Sequence, residues 1–377
     1  MPNFIIGELF CGPGGLALGA KRALVRKGGS SHRILHGWAT DYDRDTCYSY
    51  RSNICPERPG SVICADIRKI KFQTLARISK INALAFGFPC NDFSIVGRQR
   101  GMDGVYGPLY HYAVEALKFF KPIWFLAENV NGLRNSDDGR AFGIICSEMA
   151  EAGYALYPNL YKFEQYGVPQ SRHRIIIVGI RKDQDISFAI PSTRPYLGLN
   201  VSCRKALEEP PISSRAHNNE QTKQSPQVIR RLNYIKPGEN AFTAQMPEDL
   251  RLKVLGAKIS QIYKRLDPDK PAYTITGSGG GGTHVYHWRE NRALTNRERA
   301  RLQTFPDNFY FCGSKESVRK QIGMAVPPRG AKIIFEAILK TFAHISYESV
   351  PCNMTVNISK DSLRMLRKSR PEQLALG

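Results

Sequence analysis

ELFCGPGGLALG (residues 8–19) joins the end of one apolar run to the start of another through a turn rich in glycine, and the apolar spacing changes across that turn. The run before it, NFIIGELF (3–10), is short and reads as a buried strand. The run after it, GGLALGAKRALVRKG (14–28), carries helical spacing and reads as a helix ending on Gly28. A strand entering a helix through Gly12, Gly14 and Gly15 brings bare backbone to a sheet edge, where a ligand can approach closely.

Downstream the alternation continues. ILHGWAT (34–40) is a strand, DRDTCYSYRSN (43–53) a helix, and SVICADI (61–67) and NALAFGF (82–88) are further strands. LYHYAVEALKFF (109–120) is helical, PIWFLAENV (122–130) a strand, GRAFGIICSEMAEAG (139–153) a helix and RHRIIIVGI (172–180) a buried strand. This order predicts an α/β fold with a parallel sheet covered on both faces and a ligand site at the C-terminal strand ends. After Arg181 the rhythm is lost. Residues 182–291 are richer in Pro, Asn, Gln and Ser, with breaks such as IKPGEN and DPDKPAY, and predict a second, irregular domain. Its TGSGGGGTHVY run (276–286) reads as a flexible loop, since no Gly-Lys-Ser/Thr follows it. Helical spacing returns in TNRERARLQTF (295–305) and in PPRGAKIIFEAILKTFAHI (327–345), which is suited to pack back on the first domain.

The chain has 377 residues, 42% of them hydrophobic, enough for a sizeable core without covalent staples. No segment approaches the ~18 uninterrupted apolar residues of a membrane span, and the first residues are not those of a signal peptide, so a soluble intracellular protein is expected. The nine cysteines include no CxxC pair or other zinc-like spacing, so reduced core residues are expected and no metal site. Against 33 Asp and Glu stand 54 Lys and Arg, a net charge of +21. Scattered rather than clustered, this charge favours a nucleic-acid partner over a membrane surface.

Three acidic or glycine-bearing strand ends point to a cofactor. The glycine spacing is not GxGxxG, because Ala17 stands where the last glycine would be, which disfavours a dinucleotide. Asp41 ends the second strand, where an acid grips ribose hydroxyls, and Asp66 ends the third, where it can meet an adenine amino group. A nucleoside cofactor without a phosphate chain suits this order, S-adenosylmethionine being the commonest. Cys90 follows the fourth strand at the same edge, in LAFGFPCNDF; a buried small hydrophobe and a nucleophile both remain open for it. Val96 stands where a phosphatase loop would need arginine. Glu128, behind Trp124, Phe125 and Leu126, is either a desolvated acid or an N-cap of the next helix. In QSRHR, Arg172 and Arg174 share one strand face, suited to an anionic or carbonyl-bearing ligand, and His173 the other, where it is structural.

The series FCGPGG, FGFPC, ENV, QSRHR, RALTNRERARLQTFP and QIGMAVP, in this order over nearly the whole chain, resembles the C5-cytosine DNA methyltransferase family. The resemblance implies a Rossmann-like S-adenosylmethionine-dependent catalytic domain over 1–181, a smaller irregular target-recognition domain over 182–311, a segment over 312–350 that packs back on the catalytic domain, and a basic tail over 351–377. It implies that Phe10, Gly12, Gly14, Gly15, Leu16, Asp41, Tyr42, Asp66, Ile67, Phe88, Pro89, Met324 and Ala325 line the cofactor pocket. Cys90 would be the nucleophile, Glu128 the partner of the base's N3 and amino group, Arg174 the donor to its O2 and Arg172 its support. Two positions depart from the family pattern: Asn91 replaces the commoner glutamine, and Met324 stands where asparagine is usual. The implied partner is double-stranded DNA, acted on by a monomer in the bacterial cytoplasm, with a cognate restriction endonuclease at the same site. An RNA methyltransferase of the same chemistry and a catalytically silent DNA-binding relative are the alternatives.

Overall fold

The computed structural model describes residues 3–88, 109–130, 140–252, 260–277 and 281–355. Its frame is an eight-stranded sheet of β1 (Asn3–Leu9), β2 (Leu24–Lys27), β3 (Ser30–Asp41), β4 (Val62–Cys64), β5 (Ala83–Phe86), β6 (Trp124–Val130), β7 (Tyr154–Lys162) and β8 (His173–Arg181). The order is β2-β3-β1-β5-β6-β8-β7, with β4 also on β3. Strands β3, β1, β5 and β6 are parallel, as is β4 to β3, so their C-terminal ends share one edge.

Two sequence expectations are corrected. The helix after the glycine turn, α1 (Gly15–Arg22), stops short of Gly28, and Leu24–Lys27 turns back as β2 in a hairpin with β3. Gly28 and Gly29 form its two-residue turn with φ of 52° and 80°, the left-handed pair that such a hairpin requires and that glycine adopts without steric cost. The sheet is also mixed rather than parallel, because β8 runs antiparallel to both β6 and β7. That reversal brings the start of β8 beside the end of β6, with Arg174 in register with Val130.

Helices cover both faces. Phe4, Ile6, Trp124, Leu126, Ile176 and Val178 pack under α1 and the C-terminal helix over Pro328–Phe342; Phe86, Phe125, Ile177 and Trp38 face the helices Leu109–Phe120 and Arg140–Glu151. Alternate residues of one strand serve opposite cores, as the pleat dictates. The helix α2 (Arg44–Ile54) is capped by Asp43, whose carboxylate accepts from the Thr46 amide. Among the described residues no helix is long and apolar enough to cross a membrane.

Between residues 182 and 291 the described chain contains two short α-helices, Cys203–Glu208 and Pro226–Leu232, a two-residue strand, Ile190–Pro191, paired with Ser349–Val350, and a few 3₁₀ turns. A small core of Leu232, Ile235, Met246, Leu250, Tyr263 and Tyr286 holds part of it. Where ladders are lacking, buried arginines satisfy the carbonyls instead. Arg265 donates to the carbonyls of Leu232 and Glu290, and Arg297 to those of His217, Pro306 and Phe309. Residues 278–280 of the glycine run, and 356–377 of the tail, lie outside the described residues. Asn353, in the described part of the tail, bonds the Leu160 amide and carbonyl on the edge strand β7.

Candidate active site

The turn between β1 and α1 is built from left-handed backbone: Phe10, Gly12 and Gly14 have φ of 54°, 56° and 100°. A Cβ on Gly12 would meet nothing within 4 Å, so this part of the turn faces open space. At the end of β3, Asp41 accepts the Gly12 amide on one carboxylate oxygen and the Asp43 amide on the other, each at 3.0 Å. Burial raises its pKa, opposed by those amides. Beside it, Tyr42 is 60% exposed.

The segment QIGMAVP closes the same place. Its helix, α3 (Lys315–Met324), ends against the glycine turn: a Cβ on Gly15 would clash with the Val326 carbonyl oxygen. Leu16 and Ala325 are buried there, whereas Met324 is 51% exposed. Asp66 is not a strand-end residue, since β4 stops at Cys64. It caps a 3₁₀ turn, Ile67–Lys69, and its carboxylate is held by the Arg68 amide and guanidinium, which lowers its pKa. Ile67 is buried beneath it.

Farther along the edge, the chain leaves β5 through Gly87 and the buried Phe88; Pro89, Cys90 and Asn91 lie outside the described residues. Glu128 lies inside β6, which continues to Val130, so it is not a helix N-cap. One of its oxygens is 2.9 Å from Arg174 Nε, with both side chains 13% exposed. A Cβ on Gly87 would fall 3.0 Å from the other oxygen, so the backbone leading to Cys90 runs directly against this carboxyl group. Burial raises the Glu128 pKa, and Arg174 and Arg172 pull it down.

Arg172 does not join that pair. It is fully buried and donates to the carbonyls of Ile275 and Gly323, tying the end of the irregular segment and the end of α3 to the start of β8. His173, on the other face, pairs with Glu164 at 2.7 Å.

Sequence reasoning missed the layer beneath the turn. Glu8 is 2% exposed, accepts from the Tyr50 hydroxyl at 3.0 Å, and is pushed by burial to a pKa of about 8. Tyr50 also meets His36 Nδ1 at 3.3 Å. The signal was a carboxylate two positions before the glycine turn in an otherwise apolar strand. Gln170 was quoted without a role. Its carbonyl oxygen accepts the Ile275 amide and its NH₂ donates to the Leu302 carbonyl, so it fastens the same segment as Arg172.

The sheet edge carries, close together, bare backbone at Gly12, a fixed carboxylate at Asp41 and an uncovered aromatic ring at Tyr42, a set of groups suited to a nucleoside. Next to it stands an acid and a guanidinium suited to a polar ring. Comparisons with known proteins show the family. Residues 4–340 match the family described as C-5 cytosine-specific DNA methylase. The chain is 56% identical over 354 residues to the type II methyltransferase M.BbvI of Brevibacillus brevis, covering 92% of this chain and 94% of that protein. It is 40% identical over 350 residues to the type II methyltransferase M.NgoFVII of Neisseria gonorrhoeae, covering 91% and 88%. A solved structure of a putative DNA modification methyltransferase encoded within a prophage (E. coli) shares the fold, with a TM-score of 0.67 at 21% identity over 90% of this chain and 99% of that one.

Proposed function

The chain belongs to the C-5 cytosine-specific DNA methylase family, and from that premise we propose that it methylates C5 of a flipped-out cytosine within a specific duplex sequence, using S-adenosylmethionine, as the modification half of a restriction–modification system. The observation that carries the reading is the Glu128–Arg174 pair set against the backbone that leads to Cys90.

Cytosine C5 is a weak nucleophile. The Cys90 thiolate adds to C6 and leaves an enamine, which makes C5 nucleophilic. Glu128, its pKa raised by burial, supplies a proton to N3 and accepts from the amino group, so negative charge does not build on the ring during the addition. Arg174 donates to O2 while holding Glu128 in place. Once C5 bears the methyl group, loss of its proton to solvent and expulsion of the Cys90 thiolate restore the aromatic ring, and Glu128 takes back the N3 proton. The base must leave the duplex for any of this, because a stacked cytosine exposes neither face of C6.

The groups at this edge suit S-adenosylmethionine, which when bound would supply an electrophilic methyl group. Asp41 would hold the ribose hydroxyls, Phe10, Tyr42 and Ile67 the adenine faces, Asp66 its amino group, and Gly12, Gly14, Gly15, Leu16, Phe88, Pro89, Met324 and Ala325 the remaining wall. The described part of 182–291 has little regular structure to conserve and suits a surface that reads bases. The names of the type II relatives support the restriction–modification setting. Bisulfite sequencing of DNA from cells expressing the protein tests the reading: one recurrent sequence should be protected at a fixed cytosine. Uniform conversion, with the folded protein present, would overturn it.

A further inference from the structure

Helix α3 presents Lys320 one turn before Met324, on the side that faces the end of β3. The Lys320 ammonium is 3.4 Å from the Tyr42 hydroxyl and 5.8 Å from the centroid of its ring. The nearest carboxylate oxygen of Asp43 is farther, at 3.9 Å. That carboxylate is already engaged as the cap of α2. With 60% of Tyr42 exposed, its ring has little packing of its own to orient it.

The backbone that carries Lys320 is, by contrast, fixed. Gln321 is 1% exposed, accepts from Ser49 at 2.6 Å and donates to the Cys312 carbonyl at 2.7 Å. One turn's length away the Gly323 carbonyl is held by Arg172. A Cβ on Gly277 would lie 2.9 Å from the Lys320 carbonyl oxygen, so a further chain segment backs the helix at this residue. A flexible side chain therefore starts from a rigid point and ends on a loosely held ring.

We propose that Lys320 is a positioning residue for the cofactor: by cation–π contact and the bond to the hydroxyl it sets the angle of the Tyr42 ring, and so prepares the face that meets the adenine. This rests on the reading that Tyr42 lines the S-adenosylmethionine pocket. A cation within about 6 Å of a ring centroid is attracted to it, and orienting the ring before binding removes part of the ordering cost of binding.

Calorimetry on the full chain with S-adenosylmethionine tests both layers. Tyr42→Ala should weaken binding; if it does not, the pocket reading fails at Tyr42 and the Lys320 inference falls with it. Given that loss, Lys320→Met should weaken binding about three- to tenfold, Lys320→Arg should restore most of it, and Lys320→Met should add nothing in the Tyr42→Ala background. Steady-state rates should show the Lys320→Met change in KM for the cofactor rather than in kcat. Unchanged affinity in Lys320→Met beside a weakened Tyr42→Ala would overturn the inference alone. So would a full loss in the double variant, which would mean that Lys320 acts independently of Tyr42. Thermal midpoints close to the parent establish that each variant is folded.

Discussion

Glu128 and Arg174 meet at 2.9 Å because β6 and β8 run in opposite directions. In a wholly parallel sheet the start of β8 would lie at the far edge, and its arginines would be a strand length from the acid. The antiparallel strand thus assembles an acid and a guanidinium donor at one place, next to the backbone that leads to Cys90, the proposed nucleophile.

Glu128→Gln keeps the shape and removes the acid. Single-turnover methylation should slow by about 10²- to 10⁴-fold, the usual loss of one general acid, while calorimetric affinity for the cofactor stays near the parent value. A rate within tenfold of the parent would take the proton-transfer role from Glu128.

For Cys90, a target cytosine carrying fluorine at C5 should be methylated and then trapped, since the fluorine cannot leave as the proton does. A denaturant-resistant protein–DNA adduct should form only with S-adenosylmethionine present. Cys90→Ser supplies a hydroxyl hardly ionised at neutral pH, and both methylation and trapping should collapse. An adduct formed by folded Cys90→Ser would remove this residue from the mechanism.

Glu8 makes stability depend on pH in a stated direction. Its folded pKa, about 8, lies above its ordinary 4.5, so across that window the folded state binds the extra proton. Stability should therefore be fully retained below about pH 4.5 as far as Glu8 is concerned, and fall on the order of 1 kcal/mol per pH unit until about pH 8. Urea denaturation from pH 5 to 8, on the order of one unit per step, measures this slope. Glu8→Gln should flatten it, and an unchanged slope would show that the carboxyl ionises elsewhere.

Asp41→Asn should weaken S-adenosylmethionine binding roughly tenfold or more, the loss expected for a charge-assisted hydrogen bond, and leave DNA affinity near the parent value. Asp66→Ala should act in the same direction. Because Arg68 already occupies the Asp66 carboxylate, its effect should be the smaller of the two. Calorimetry with each ligand ranks them, and the reverse order would move the anchoring acid from β3 to the turn after β4.

Arg172→Met should cost about 2–5 kcal/mol in urea denaturation, because it leaves two buried carbonyls without donors. A loss below about 1 kcal/mol would mean that water or another donor replaces it.

Much of the catalytic half was legible because period and punctuation agree there. The glycine turn, Asp41 at its strand end, and the strands around Glu128 follow from local pattern. The hairpin of β2 was not: Ala23 and Val25 extend the apolar spacing of α1, and only the tertiary position of β3 selects a strand. Strand β7 was hidden by Pro158. Proline is tolerated there because β7 is at the edge of the sheet, with β8 as its one neighbour among the described strands. The fate of Arg172 was illegible for a different reason, since its partners are carbonyls about a hundred residues and more away (103 and 151). Strand direction likewise depends on long-range pairing, which periodicity does not record.

Besides a shared apolar core that includes Leu207, Leu266 and Ile275, the framework holds residues 182–291 through several of their main-chain atoms. Arg172 takes the Ile275 carbonyl, Arg297 the His217 carbonyl, the Ser171 amide the Ala272 carbonyl, and the Arg297 amide the Asn218 carbonyl. Every residue type has a carbonyl, so these joints are blind to which side chains the gripped segment carries. On the reading proposed for 182–291, these joints place no demand on the side chains that would face bases, so a change of target sequence would leave them, and the chemistry behind them, as they are.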